Sequence, residues 1–146
     1  MRTLAVDMGD RRTGVALSDP FGITCSPLEV IEESNQERLV QRIIYLTTIY
    51  GTEELVVGLP RPLSGGTNRQ VEKVLAFVAI LKAESQLDVK TWDERFTSKL
   101  AEQTGQKTGP RDSVAACYLL QNYLDALVNA KKLVNVDDGN TADAET

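Results

Sequence analysis

The chain of 146 residues contains no histidine, and that absence removes a large part of enzyme chemistry. Ser–His–Asp and Cys–His nucleophile systems are excluded, along with the side chain that ordinarily moves protons near neutral pH. Cysteine is almost as scarce: Cys25 and Cys117 are far apart in sequence, in apolar surroundings, with no C-x-x-C. They read as reduced core residues of a cytosolic protein, and two thiols without imidazole do not suggest a zinc site. No run of about 18 apolar residues exists, so no membrane association is expected. No charged-then-apolar leader opens the chain either, and a cytoplasmic location is expected. Any catalysis must rest on carboxylates, lysine, tyrosine, a cofactor or a metal ion.

What is present suggests one α/β domain. Three apolar strand-like runs, at about 3–8, 13–18 and 25–31, are joined by turns. Ser34 with Glu37 reads as a capping box, and Leu39, Ile43, Leu46 and Tyr50 follow at helical spacing until Gly51. "ELVVGLP" at 54–60 is a fourth strand, and Thr67 with Gln70 caps a second helix. "LDVKTW" at 87–92 is a fifth strand, a short helix follows Thr97, and a last helix runs from about Pro110 to Val128. The order βββαβαβα implies a mixed five-stranded sheet with an antiparallel start and parallel strands reached by crossover helices. The folded domain is expected over residues 1–132. The acidic stretch 133–146 lacks periodicity and reads as disordered.

In such a sheet, sites collect at the carboxyl ends of parallel strands. Asp7 in "TLAVDMGDRRTGVAL" ends the first strand, and Asp93 and Glu94 in "TWDERFTS" end the fifth. Asp112 precedes the apolar stripe Ala115, Ala116, Leu119, Leu120, Tyr123, Leu124 and Leu127, in a first turn started by Pro110. Each acid alone has an ordinary reading as turn former, solvated charge or helix cap. An inward-facing Asp112 needs a partner, however, and oxygen-only ligands from separate segments select Mg²⁺ or Mn²⁺.

"LAVDMGDRRTGVALSD", "VVGLP", "DERFTS" and "DSVAACYLLQNYL", in that order, resemble the YqgF (RuvX-type) family over residues 1 to about 128. The resemblance implies a ribonuclease H-like fold and a metal-dependent nuclease that processes the 5′ end of pre-16S rRNA. Its acidic positions fall on Asp7, on Glu94 as the better of the DER pair, and on Asp112. These are the expected catalytic and metal-binding residues. The chain departs from the family's pattern at Met8, where proline is common, and in a shorter, less basic segment before Asp112.

The cations cluster around the proposed edge. Arg11, Arg12, Arg61, Arg69, Lys73, Arg95 and Arg111 are the candidates for binding substrate phosphates, with Lys99 and Lys107 beside them. Glu29, Glu32, Glu33, Glu37, Glu53 and Glu54 are expected on the other side of the fold. A net charge of −5 with a basic edge fits a backbone-binding nuclease. Few aromatics remain for base stacking, so recognition by shape and backbone is expected. The expected partner is structured nucleic acid, pre-rRNA first and branched DNA second, bound by a monomer or weak homodimer. Two rival readings stay open: a junction resolvase, which needs a symmetric dimer, and a non-catalytic RNA-binding assembly or transcription factor.

Overall fold

The computed structural model describes residues 1–9, 11–60, 69–93 and 111–145, with 111, 112 and 131–145 described as backbone only. The element order is β1 (Thr3–Met8), β2 (Arg12–Ser18), β3 (Cys25–Glu32), α1 (Gln36–Tyr50), β4 (Glu54–Leu59), α2 (Arg69–Ser85), β5 (Asp88–Asp93) and α3 (Arg111–Glu145). The five strands form one sheet in the order β3-β2-β1-β4-β5. β2 is antiparallel to both β1 and β3, whereas β4 is parallel to β1 and β5. This is the mixed sheet that the sequence pattern implies.

The pleat sorts the core into two layers. Leu4 and Val6 of β1, Val15 of β2, Leu55, Val57 and Leu59 of β4 and Val89 of β5 pack with Leu39, Val40 and Ile43 of α1 and Val74, Phe77 and Leu81 of α2. The alternate residues Ala5, Ala16 and Val56 face Ala116, Cys117, Leu119, Leu120, Tyr123 and Leu124 of α3. The first layer is branched and bulky, as suits strands buried on both faces. The second carries alanines on both sides, which let α3 lie close on β1 and β2.

Helix ends differ from the sequence reading in detail. α1 is capped by Asn35, one residue after Ser34: its Oδ1 accepts from the Arg38 amide at 3.0 Å. Asparagine caps as well as serine, so the chain can use either. Gly51 ends α1 at φ 61°, a left-handed geometry that glycine adopts without a Cβ penalty. The Thr67 cap and the short helix after Thr97 lie outside the described residues. α3 runs on to Glu145 through the stretch read as a disordered tail. No proline interrupts 111–145, so no residue there forbids the helical ladder.

Candidate active site

Asp7 is half-buried near the end of β1 and pairs in register with Gly14 of β2. It shares pleat parity with Ala5, so it lies on the face covered by α3. On the other flank, Val6 aligns with Val57, which brings Gly58 of β4 alongside Asp7. Gly14 and Gly58 are both buried. Neither is among the described glycines with positive φ, which are Gly22 and Gly51. Their backbones would accept any residue; what glycine contributes is the missing side chain. Asp7 therefore stands between two positions that put no side-chain atoms on its own face, and glycine within a strand often marks close approach by a ligand.

β5 brings the second acid to the same edge. Gly58 aligns with Trp92, and Leu59 with Asp93. Two strand spacings, about 10 Å, separate β1 from β5. Parity distinguishes the members of the DER pair. Trp92 packs into the α3 layer and Val89 into the other, so the alternation turns Asp93 away from Asp7's face. Glu94, the preferred acid of the pair, lies outside the described residues.

The third acid arrives on α3. Tyr123 Oη donates to Glu54 Oε1 at 3.0 Å, which pins that turn of the helix to the start of β4. From Tyr123 back to Asp112 the helix rises about 16 Å. β4 climbs a similar distance, about 16 Å, from Glu54 to Leu59. α3 covers the sheet face that carries Asp7, and the chain enters that layer through its first turn. Only the backbone of Asp112 is described, and the neighbouring Ser113 is buried. Among the described residues no group of three acids or thiols is gathered for a metal ion. Asp7 is the one member of the expected triad described in full. Its carboxylate, with glycine on both flanks, suits a hard cation that binds oxygen.

The cations are less uniform than expected. Arg11 and Arg12 are exposed on the β1–β2 turn, and Arg69 and Lys73 on the first turns of α2, all near the carboxyl ends of the parallel strands. The glutamates, however, are not all elsewhere. Antiparallel pairing sets Arg12 opposite Glu32, and Arg12 Nε lies 3.1 Å from Glu32 Oε1. Arg11, Arg12, Glu32, Glu33 and Ser34 line one open cavity of about 430 Å³. Glu32 and Glu33 therefore share the site's edge, because β3 runs in the same direction as β1, with β2 between them, and ends at the same edge of the sheet. Arg61 and Arg95, with Lys99 and Lys107, lie outside the described residues, and Arg111 is described as backbone only.

Glu54 lies at the opposite end of the sheet from Asp7, as expected, but it is buried. It is 2% exposed and stands on the α3 face, where it meets Tyr123, Thr3 Oγ1 at 3.2 Å and Lys90 Nζ at 3.1 Å. The Glu54 carboxylate raises the Lys90 pKa, chiefly through their hydrogen bond. Burial first, and then the same carboxylate, push Tyr123 up to about 12. In sequence nothing separates Glu53 from Glu54; only a strand register shows which of the two is buried.

Comparison with known proteins agrees with this architecture. Residues 1–126 match the family model described as "RuvX: Holliday junction resolvase". A protein of Desulforamulus reducens named "Putative pre-16S rRNA nuclease" is 39% identical over 134 residues, covering 86% of this chain and 98% of its own. A protein of the same name from Desulforudis audaxviator is 40% identical, covering 86% of this chain and 95% of its own. Among solved structures, Thermus thermophilus RuvC bound to a Holliday junction superposes with a TM-score of 0.61 at 14% identity, over 88% of this chain and 96% of that one. The fowlpox virus Holliday junction resolvase gives a TM-score of 0.54 at 16% identity, over 87% and 99%. The fold is thus ribonuclease H-like. With a family match over most of its length and relatives at this identity, the chain belongs to the RuvX family.

Proposed function

We propose that this protein is a divalent-metal-dependent nuclease that acts on structured RNA, with the 5′ end of pre-16S rRNA as substrate. The observation that carries the reading is the placement of Asp7. It sits at the carboxyl edge of the sheet, flanked by Gly14 and Gly58, on the face that α3 covers. Asp7, Glu94 and Asp112 would hold the ion. Within the pair, Asp93 is turned away from Asp7's face, which favours Glu94 as the second acid. Mg²⁺ or Mn²⁺ there would stabilise negative charge developing on a phosphodiester and orient the reacting groups.

The chain's own residues do the rest. The three acids concentrate negative charge at one edge and so define where a cation can compensate it. Arg11, Arg12, Arg69 and Lys73 offer phosphate contacts around that edge, joined in the proposal by Arg61, Arg95 and Arg111. Such contacts fix register on the backbone and carry no sequence information directly. The names of the relatives, "Putative pre-16S rRNA nuclease", point to RNA. The family description points to branched DNA and gives the second reading. Incubating the purified protein with 5′-extended small-subunit rRNA and with a four-way DNA junction, each with Mn²⁺ or with EDTA, tests both. Metal-dependent cleavage of the rRNA near its mature end is expected. Cleavage that persists in EDTA would overturn the metal mechanism, and cleavage of the junction alone would move the assignment to DNA.

A further inference from the structure

The chain's only two cysteines, widely separated in sequence, meet in the fold. Cys25 Sγ lies 2.8 Å from Cys117 Sγ, and no disulfide joins them. Cys25 begins β3, and Cys117 lies in the second turn of α3. Cys25 Sγ also lies 3.0 Å from the Cys117 carbonyl oxygen and 3.7 Å from Gln121 Oε1. The alanines Ala5, Ala16 and Ala116 around them hold helix and sheet close enough for the sulfurs to touch. Apolar packing alone explains why each cysteine is buried. It does not require that the two sulfurs face each other across the interface that joins β3 to α3.

We propose that Cys25 and Cys117 form a redox-active dithiol, a modification site that accepts two electrons' worth of oxidation from a low-molecular-weight disulfide. A disulfide bond is about 2.05 Å long, so the sulfurs need to close by less than about 1 Å. The two cysteines differ in access: Cys117 is fully buried, while Cys25 retains 8% exposure beside the β2–β3 loop. Reaction therefore starts at Cys25. Its thiolate attacks one sulfur of the small disulfide and forms a mixed disulfide, and the first small thiolate leaves. The Cys117 thiolate then attacks the Cys25 sulfur, the protein disulfide forms, and the second small thiolate leaves. Two protein thiols are oxidised, one small disulfide is reduced, and the two protons end on the released thiols. The bond ties β3 to the helix that begins at Arg111, closing a long loop of chain.

The test uses the full chain and glutathione disulfide, followed by intact-mass measurement, thiol counting in denaturant, non-reducing peptide mapping and a melting curve. The expected product is a monomer lighter by two hydrogens, with no thiol left to count and a peptide linking Cys25 to Cys117. Its melting temperature should rise by on the order of 10 °C and return on reduction. Cys117→Ala should stop at a single glutathione adduct on Cys25. Adducts on both cysteines of the native protein, dimers linked between chains, or a linked product that melts lower would overturn the proposal. So would full thiol retention under conditions in which the denatured chain reacts. None of these readouts depends on cleavage of nucleic acid.

Discussion

A glycine beside a carboxylate is a statement about space, and Gly58 makes it most clearly. Its backbone is ordinary strand, so alanine there introduces no conformational strain, and the added Cβ projects onto the face of Asp7. Gly58→Ala should keep the sheet and its far-ultraviolet circular dichroism. On the proposed metal site, Mg²⁺ or Mn²⁺ should raise the parent's melting temperature, because a ligand that binds only the folded state stabilises by mass action, and Gly58→Ala should lose most of that gain. An equal gain in both proteins would place the ion elsewhere. Asp112→Asn is the complementary change. If Asp7, Glu94 and Asp112 hold the ion as proposed, removing one of the three charges relieves repulsion in the metal-free protein. That variant should melt at or above the parent without metal and show no cleavage. A purely capping Asp112 predicts the reverse, a loss of about 1 kcal/mol with cleavage intact.

At the scale of elements, the strands and the βββαβαβα order were legible because period-2 apolar runs and glycine or proline punctuation are local signals. The helix face of α3 was legible for the same reason. Asp7 could be placed at a strand end, but the two glycines that flank it come from β2 and β4. Only strand register brings them together. The same limit hid Glu54, and also Arg12's pairing with Glu32: nothing nearby in sequence marks one glutamate of a pair as buried and another as an ion-pair partner. The cluster of Glu54, Tyr123 and Lys90 under α3 has its own test. Tyr123 is pushed up to about 12 from 10.0, and Lys90 is raised from 10.5. Both groups favour their protonated form in the folded state. Their contribution is therefore complete below about pH 10 and is lost as pH rises toward 12. Tyr123→Phe removes the phenol and one donor to a buried carboxylate, at a cost of about 1–3 kcal/mol near neutral pH. The parent should lose stability more steeply than the variant between pH 10 and 12 in urea titrations. Parallel profiles would show that the cluster does not anchor α3.

For the whole molecule the question is how a chain of net charge −5 holds a polyanion. Exposed cations on the β1–β2 turn and on α2 supply a local field against the acidic total. Removing one cation that neutralises a phosphate should flatten the log–log salt dependence of binding by about one unit. Arg69→Ala and Lys73→Ala should each do so, across unrelated RNA sequences. Arg12 behaves differently, because in the free protein it is already paired with Glu32 across β2 and β3. Both side chains are well exposed, 62% and 70%, so the pair itself is worth at most about 1 kcal/mol. A phosphate recruiting Arg12 must displace that carboxylate and also approach the charge of Glu32. Glu32→Gln preserves shape and removes both obstacles, so binding should tighten by no more than about fivefold, with a steeper salt dependence. The gain should vanish when Arg12→Ala is already present, since a double-mutant cycle isolates the coupling between the two. Equal tightening with and without Arg12 would reduce the effect to a general change in surface charge. No change in either background would place the nucleic acid away from the β2–β3 edge, on the side of α2.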